Sequence, residues 1–203
     1  MATEDNEDAG RRYHHGDLPA ALIRTSFELL ADNGLADFSV AKVARRLGIS
    51  TAAPYRHYSD RDHLLAAVAA AAARQLAAAV RAAAEGAGPD PADRFGAAGA
   101  AYVRFAVSHG AGFDVIYAAG PRGLGDAALA AAGRELMDLL TTLAEDTGVR
   151  PKEDALRLVG DLVALAHGYA TLYRDGFFPR ARYSLDDIAA HAARAGRELA
   201  AGR

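Results

Sequence analysis

Apolar residues return at three- and four-residue spacing along this chain, and nowhere do they alternate with polar ones, so the pattern predicts helices and no strand. The clearest stretch runs from residue 39 to residue 65. Val40, Val43, Ala44 and Leu47 make one apolar stripe, with Lys42, Arg45 and Arg46 outside it. Ser39 is placed to cap that helix and Gly48 to end it. Ile49 fills the corner, and Ser50 caps a second short helix carrying Thr51, Ala52, Ala53, Pro54, Tyr55, Arg56 and His57. Pro54 falls early enough in that helix to forfeit only one backbone bond, and its ring suits an apolar position. Ser59 with Asp62 resembles a capping box opening a long alanine-rich helix, from Asp60 to about Glu85. Further helices are expected over 92–108, 112–119, 124–147, 152–175 and 184–201, the last opened by Ser184 with Asp187. Gly86 to Pro91, Gly120-Pro121 and Gly148 to Pro151 separate them. The expectation is an all-α fold of about nine helices, with an N-terminal three-helix unit followed by a helical bundle.

Two short helices around a glycine turn spell a helix-turn-helix, which points to double-stranded DNA as a partner. Small residues at 51 to 53 let the second helix lie deep in a major groove, where Thr51 reaches base edges. Tyr55, Arg56, His57 and Tyr58 supply donors suited to phosphate oxygens, and Arg61 adds charge at the next helix start. Upstream, Arg11 and Arg12 begin a short basic arm of the kind that reaches a minor groove. The adjacent His14 and His15 lack further ligands at metal spacing, so no metal and no cofactor is called for.

Charge sharpens this reading. The net charge is −3, yet residues 9 to 63 hold eight Lys/Arg against six Asp/Glu, so positive charge gathers on the candidate DNA face. The absence of cysteine fits a reducing cytoplasm and excludes thiolate chemistry. Four acids among the first eight residues do not suit a signal peptide, and charges interrupt every apolar run before membrane-spanning length, so no membrane is expected. Of the 203 residues 51 are alanine, so the few large side chains must supply most of the core.

The run from Tyr13 to Leu65 resembles the DNA-binding domain of the TetR/AcrR family of bacterial transcriptional regulators. The matching residues are His15-Gly16-Asp17-Leu18, Gly34, Val43-Ala44, Leu47-Gly48-Ile49-Ser50, Tyr55-Arg56-His57-Tyr58 and Arg61-Asp62-His63-Leu64-Leu65. Tyr58 stands where the family usually has Phe, Arg61 where it has Lys, and Pro54 at a usually aliphatic position. The resemblance implies residues 1–12 as an arm, 13–59 as the DNA-binding domain with Ser39, Lys42 and Ser50 near the DNA, and 60–203 as a ligand-binding and dimerisation domain. It also implies a homodimer built from the last two helices, and an unidentified small-molecule effector that releases a repressor from its operator. The penultimate helix is apolar on more than one face, which fits pairing with a second copy through Leu162, Leu165, Tyr169, Leu172 and Ile188 around the small Gly160 and Gly168. Ala166-His167-Gly168-Tyr169 resembles the His-Gly feature of one C-terminal subclass, which often has a preceding Trp that this chain lacks.

Tyr102, Phe105, Phe113 and Tyr117 are candidates to line an effector pocket with His167, although aromatics at helical spacing are more often plain core. His109 reads as a helix end. An enzyme is the rival class: Ser50, His57 and Asp60 are triad residue types, but no nucleophile elbow or phosphate loop accompanies them. A ligand-independent DNA-binding or structural dimer is the other alternative, and it would have a tightly filled C-terminal half.

Overall fold

The computed structural model describes residues 17–117 and 123–202. These residues form seven α-helices of seven residues or more and no strand: α1 Leu18–Asn33, α2 Val40–Arg46, α3 Arg61–Gly86, α4 Pro91–His109, α5 Ala127–Asp146, α6 Lys152–Arg174 and α7 Leu185–Ala201. A single helical turn, Ala111–Asp114, runs into a 3₁₀ turn, Val115–Tyr117. The all-α expectation and most of the helix bounds therefore hold, while the count of nine does not. The arm residues Arg11 and Arg12, His14 and His15, and the expected break at Gly120-Pro121 lie outside the described residues.

Two expected helices fall short: within the described residues the one over 112–119 is only the single turn above, and the other is the second helix of the helix-turn-helix. Only Pro54–Arg56 is helical there, and it is 3₁₀. Proline explains the difference. Pro54 has no N–H to return to the Ser50 carbonyl, which takes the Ala53 N–H at 3.1 Å instead and tightens the turn. Ser50 therefore caps no helix. Pro54 is nonetheless buried, as its ring was expected to be.

Local capping sets the other ends. The Ser39 hydroxyl accepts from the Lys42 N–H at 3.3 Å. Gly48, at φ +67°, lets the chain turn so that the Ile49 N–H returns to the Ala44 carbonyl at 3.1 Å. Asp60, not Ser59, caps α3, accepting from the His63 N–H at 2.9 Å. A carboxylate satisfies those first N–H groups and the positive helix end together, which a hydroxyl does less well. Ser184 and Asp187 form the full capping box on α7.

The core divides into two main clusters along α3. Leu64, Leu65, Val68 and Ala69, in its first turns, pack with Leu22, Leu29 and Leu30 of α1, with Phe38, and with Val40 and Val43 of α2. Leu76, Val80 and Ala84, further along, belong to a larger cluster with α4, α5, α6 and α7. Val115 is the exception to this order: it follows α4, yet it is fully buried in the N-terminal cluster. By length and hydropathy α3 is apolar enough to cross a membrane, which the unaided sequence did not suggest. Twelve of its residues are buried among its neighbours.

Helix α4 is the hub, and glycine lets it approach α7. A Cβ at Gly96 would lie 2.3 Å from the Ala193 carbonyl oxygen, and one at Gly196 would lie 3.1 Å from the Gly96 Cα. The space beside them is filled by Leu162, whose Cδ1 would be 2.9 Å from a Cβ at Gly99. Leu162 and Ile188 are thus interior residues, 2% and 0% exposed, and the expectation that they pair with a second copy is corrected. Their helix faces turn toward α4, because that is where the glycines leave room. Gly96→Ala should destabilise the protein by about 1–3 kcal/mol through overpacking against backbone. Gly133→Ala in α5 has open space and should gain roughly 0.5–1 kcal/mol. Urea unfolding of the two variants beside the parent checks the contrast.

Candidate nucleic-acid interface and effector cavity

On the N-terminal cluster, the residues after Gly48 form one exposed ridge. Ser50, Thr51, Ala52, Tyr55, Arg56 and His57 are exposed, while Ala53 and Tyr58 are half-buried. The side chains of Thr51, Tyr55, Arg56 and His57 make no hydrogen bond or ion pair within the described residues, so their donors remain available to a partner. Tyr58 packs its ring on the cluster, and burial raises its phenol pKa.

Nearby polar groups are occupied. Ser39 is used as a cap, and Lys42 Nζ donates to the Asp37 carbonyl at 2.8 Å. Arg46 pairs with Asp32 at 2.7 Å on the surface. Arg61, expected at the DNA backbone, carries a structural role that the sequence did not reveal. Its Nε donates to the Phe38 carbonyl at 3.2 Å and its Nη2 to the Leu35 carbonyl at 2.9 Å, with the guanidinium over the Phe38 ring. It therefore ties the start of α3 to the loop before α2. Asp60 accepts from the His63 backbone and ring nitrogens, which hold its carboxyl below the usual range.

The second candidate site is a cavity of about 1020 Å³ beside α6. Its lining comes from α4 (Tyr102), the turn after α4 (Asp114, Tyr117), α5 (Met137) and one stripe of α6 that includes Leu156, Gly160, Val163, His167 and Thr171. The opposite stripe of α6, with Ala155, Leu158, Leu162, Ala166 and Ala170, fills the core. Of the two apolar stripes of this helix, one meets the core and the other lines the cavity. Gly160 and Gly168, read as small residues for a second copy, line the cavity as well. So does Leu172.

Of the five expected effector residues, Tyr102, Tyr117 and His167 line the cavity. Phe113 and Phe105 do not, which corrects that expectation. Phe113 is fully buried behind the cavity wall, edge-on to Tyr102 at 5.3 Å, and Phe105 stacks on His109 at 3.9 Å, outside this lining. His109 does end α4. Their spacing resembled that of Tyr102 and Tyr117, but without a hydroxyl they have no reason to avoid the interior. Asp114 carries no signal in the chain's periodicity or motifs. Its carboxylate forms a two-pronged pair with Arg174, at 2.9 and 2.8 Å, closing one end of the lining and raising the Arg174 pKa.

The polar end of the cavity is a short chain of hydrogen bonds. The Tyr102 hydroxyl is 2.8 Å from that of Tyr117 and 3.2 Å from His167 Nδ1. Desolvation, then the bond to Tyr117, drives the Tyr102 phenol pKa far up, so it is a neutral donor and acceptor at any working pH.

Elsewhere on α6, Leu165 and Tyr169 are half-buried. Tyr169 leads into an aromatic group with Phe178, Tyr183 and His191, and Phe177 beside it is 69% exposed.

Arg61→Gln should destabilise the protein by about 1–3 kcal/mol, since it leaves two loop carbonyls without their charged donor. Urea unfolding beside an Arg46→Gln control, which breaks an exposed pair worth about 0–1 kcal/mol, measures the difference.

Comparison with known proteins matches both halves. Residues 22–68 match the family described as bacterial regulatory proteins, tetR family, and residues 95–196 match the tetracyclin repressor-like C-terminal domain. The HTH-type transcriptional regulator BetI of Stenotrophomonas maltophilia is 36% identical over 73 residues, a span of 36% of this chain and 37% of that relative. A protein of unknown function from Rhodococcus sp. RHA1 superposes with a TM-score of 0.76 at 30% identity, over 93% of this chain and 97% of that one. AibR, solved in complex with isovaleryl coenzyme A and operator DNA, shares the fold at a TM-score of 0.63 and 17% identity, over 86% and 95% of the two chains. With its C-terminal half matched across the cavity and its N-terminal half across the exposed ridge, the chain belongs to the TetR family of transcriptional regulators.

Proposed function

We propose that this chain is a cytoplasmic, homodimeric repressor that occludes a double-stranded operator and leaves it when a small molecule fills the C-terminal cavity. The observation that carries this reading is the turn after α4. Asp114 and Tyr117 line the cavity, while Val115 between them is fully buried with α1, α2 and α3 in the N-terminal cluster. A ligand that moves the turn therefore acts directly on the packing of the DNA-binding head. The open cavity also favours this reading over a ligand-independent regulator or a structural dimer, either of which has no use for it. That AibR was solved with both an acyl-coenzyme A and an operator supports the same division of labour.

On the DNA side, Thr51, Ala52 and Ala53 read base edges, and Tyr55, Arg56 and His57 hold phosphates. The basic arm at Arg11 and Arg12 reaches the adjacent groove. Two copies place two such ridges about one DNA turn, or roughly 34–36 Å, apart. Tyr169, Phe177 and the neighbouring aromatic residues, with Leu165, form the apolar face through which the copies meet. The state that fits the operator and the state that holds ligand differ in head spacing, and the effector shifts the balance by its preference for the second.

Two outcomes test this. Tyr55→Ala should weaken operator binding across many sequences, whereas Thr51→Ala should change the sequence selected from a random pool. A selection that returns the parent consensus for Thr51→Ala would remove that residue from base readout. For the coupling, Gly160→Trp places a side chain into the cavity and should mimic a bound effector, lowering operator affinity about five-fold or more in an anisotropy titration. Adding Val115→Ala should shrink that loss. Unchanged affinity in Gly160→Trp counts against the coupling.

A further inference from the structure

The cavity lining divides into an apolar wall and a polar end, and among the described lining residues no carboxylate is left unpaired at that end. Asp114 is the one carboxylate among the described lining residues, and both its oxygens are held by Arg174 at 2.9 and 2.8 Å. An anionic head placed there would meet Asp114, and a cationic head would have to displace a two-pronged guanidinium. Either exchange costs more than leaving the charge in water, because the wall beside it is Met137, Val159 and Val163.

What the polar end does offer is a reversible donor–acceptor chain. Tyr102 has one proton and two partners, the Tyr117 hydroxyl and His167 Nδ1. When Tyr102 donates to Nδ1, the opposite nitrogen, Nε2, carries the proton and donates. When Nδ1 donates to Tyr102, whose own proton then passes toward Tyr117, Nε2 becomes an acceptor. His167 is exposed on the cavity lining, and its Nε2 makes no bond within the described residues. The same nitrogen can therefore meet a carbonyl or a hydroxyl, and neither choice leaves an unpaired buried group behind.

We propose that the cavity takes a neutral, mainly apolar molecule of drug-like size bearing one hydroxyl or carbonyl, read by the Tyr117–Tyr102–His167 chain. This rests on the reading of the cavity as the effector site. Cavity volumes up to about 1,000 Å³ are typical of drug-sized ligands, and the volume here is about 1020 Å³.

The test uses the purified full chain with Nile red as a neutral fluorescent reporter. Its competitors share one chain length: 1-octanol, 2-octanone, 1-chlorooctane, octanoate and octylammonium. Octanol and octanone should displace the dye at about ten-fold lower concentration than octanoate or octylammonium, a factor equivalent to about 1.4 kcal/mol. They should also compete at least as well as the more apolar chlorooctane. His167→Leu and Tyr102→Phe should keep dye binding but shift the octanol-to-chlorooctane ratio about ten-fold toward chlorooctane, whereas a general structural loss would weaken both alike. Best competition by octanoate or octylammonium overturns the neutral-head assignment, as does an equal shift for octanol and chlorooctane in both variants. Failure of the parent chain to bind Nile red or any competitor instead overturns the effector-site reading on which this assignment stands.

Discussion

Where α4 crosses α7, Gly96 stands so close to the Ala193 carbonyl that no side chain fits between the two backbones. In a chain so rich in alanine, each contact buries little apolar area, and only close approach makes up the deficit. The glycines at 96, 99 and 196 allow that approach, and Leu162 locks it by filling the remaining space. Once α4 is fixed, Tyr102 faces one way into the cavity and the chain leaving its C-terminus has to pass back over the N-terminal cluster. The placement of the cavity and of the turn that bounds it both follow from this one crossing.

Most helix ends were legible in the sequence because they depend on neighbours a few residues away. Ser39, Gly48 and the Ser184–Asp187 pair act through local hydrogen bonds, and each appears where its spacing places it. Pro54 was legible as a buried ring but not as a helix breaker. Whether one lost N–H is tolerated depends on how the Ser50 carbonyl is served, and here the Ala53 N–H serves it. The choice between Ser59 and Asp60 as cap likewise turns on backbone angles that two adjacent polar residues do not reveal.

Partnership between distant helices was the harder part. Along α6 the sequence shows two apolar stripes, and periodicity cannot say what each one faces. Leu162 and Ile188 read as surface for a second copy but face α4's neighbourhood, whereas Leu156, Gly160 and Val163 face open space. Tyr102, Phe105, Phe113 and Tyr117 looked alike at helical spacing, and only the packing separates the two tyrosines that line the cavity from the two phenylalanines that do not. Asp114 and Arg174 were invisible because sixty positions separate them in the chain. Their pairing exists only once the turn after α4 has been laid against the end of α6.

The fixing of Arg61 to the carbonyls of Leu35 and Phe38 has a mechanical consequence. It welds the loop before α2 to the first turn of α3, and with the shared apolar cluster of α1, α2 and α3 the head follows that helix as one piece. With 26 residues, α3 is a rod about 39 Å long. A tilt of about 5° pivoting at its far end carries the welded head through about 3 Å, close to the 3.4 Å step between successive base pairs. In the proposed dimer, with its two heads set against fixed grooves, a rotation too small to disturb either core is enough to put both out of register with the DNA.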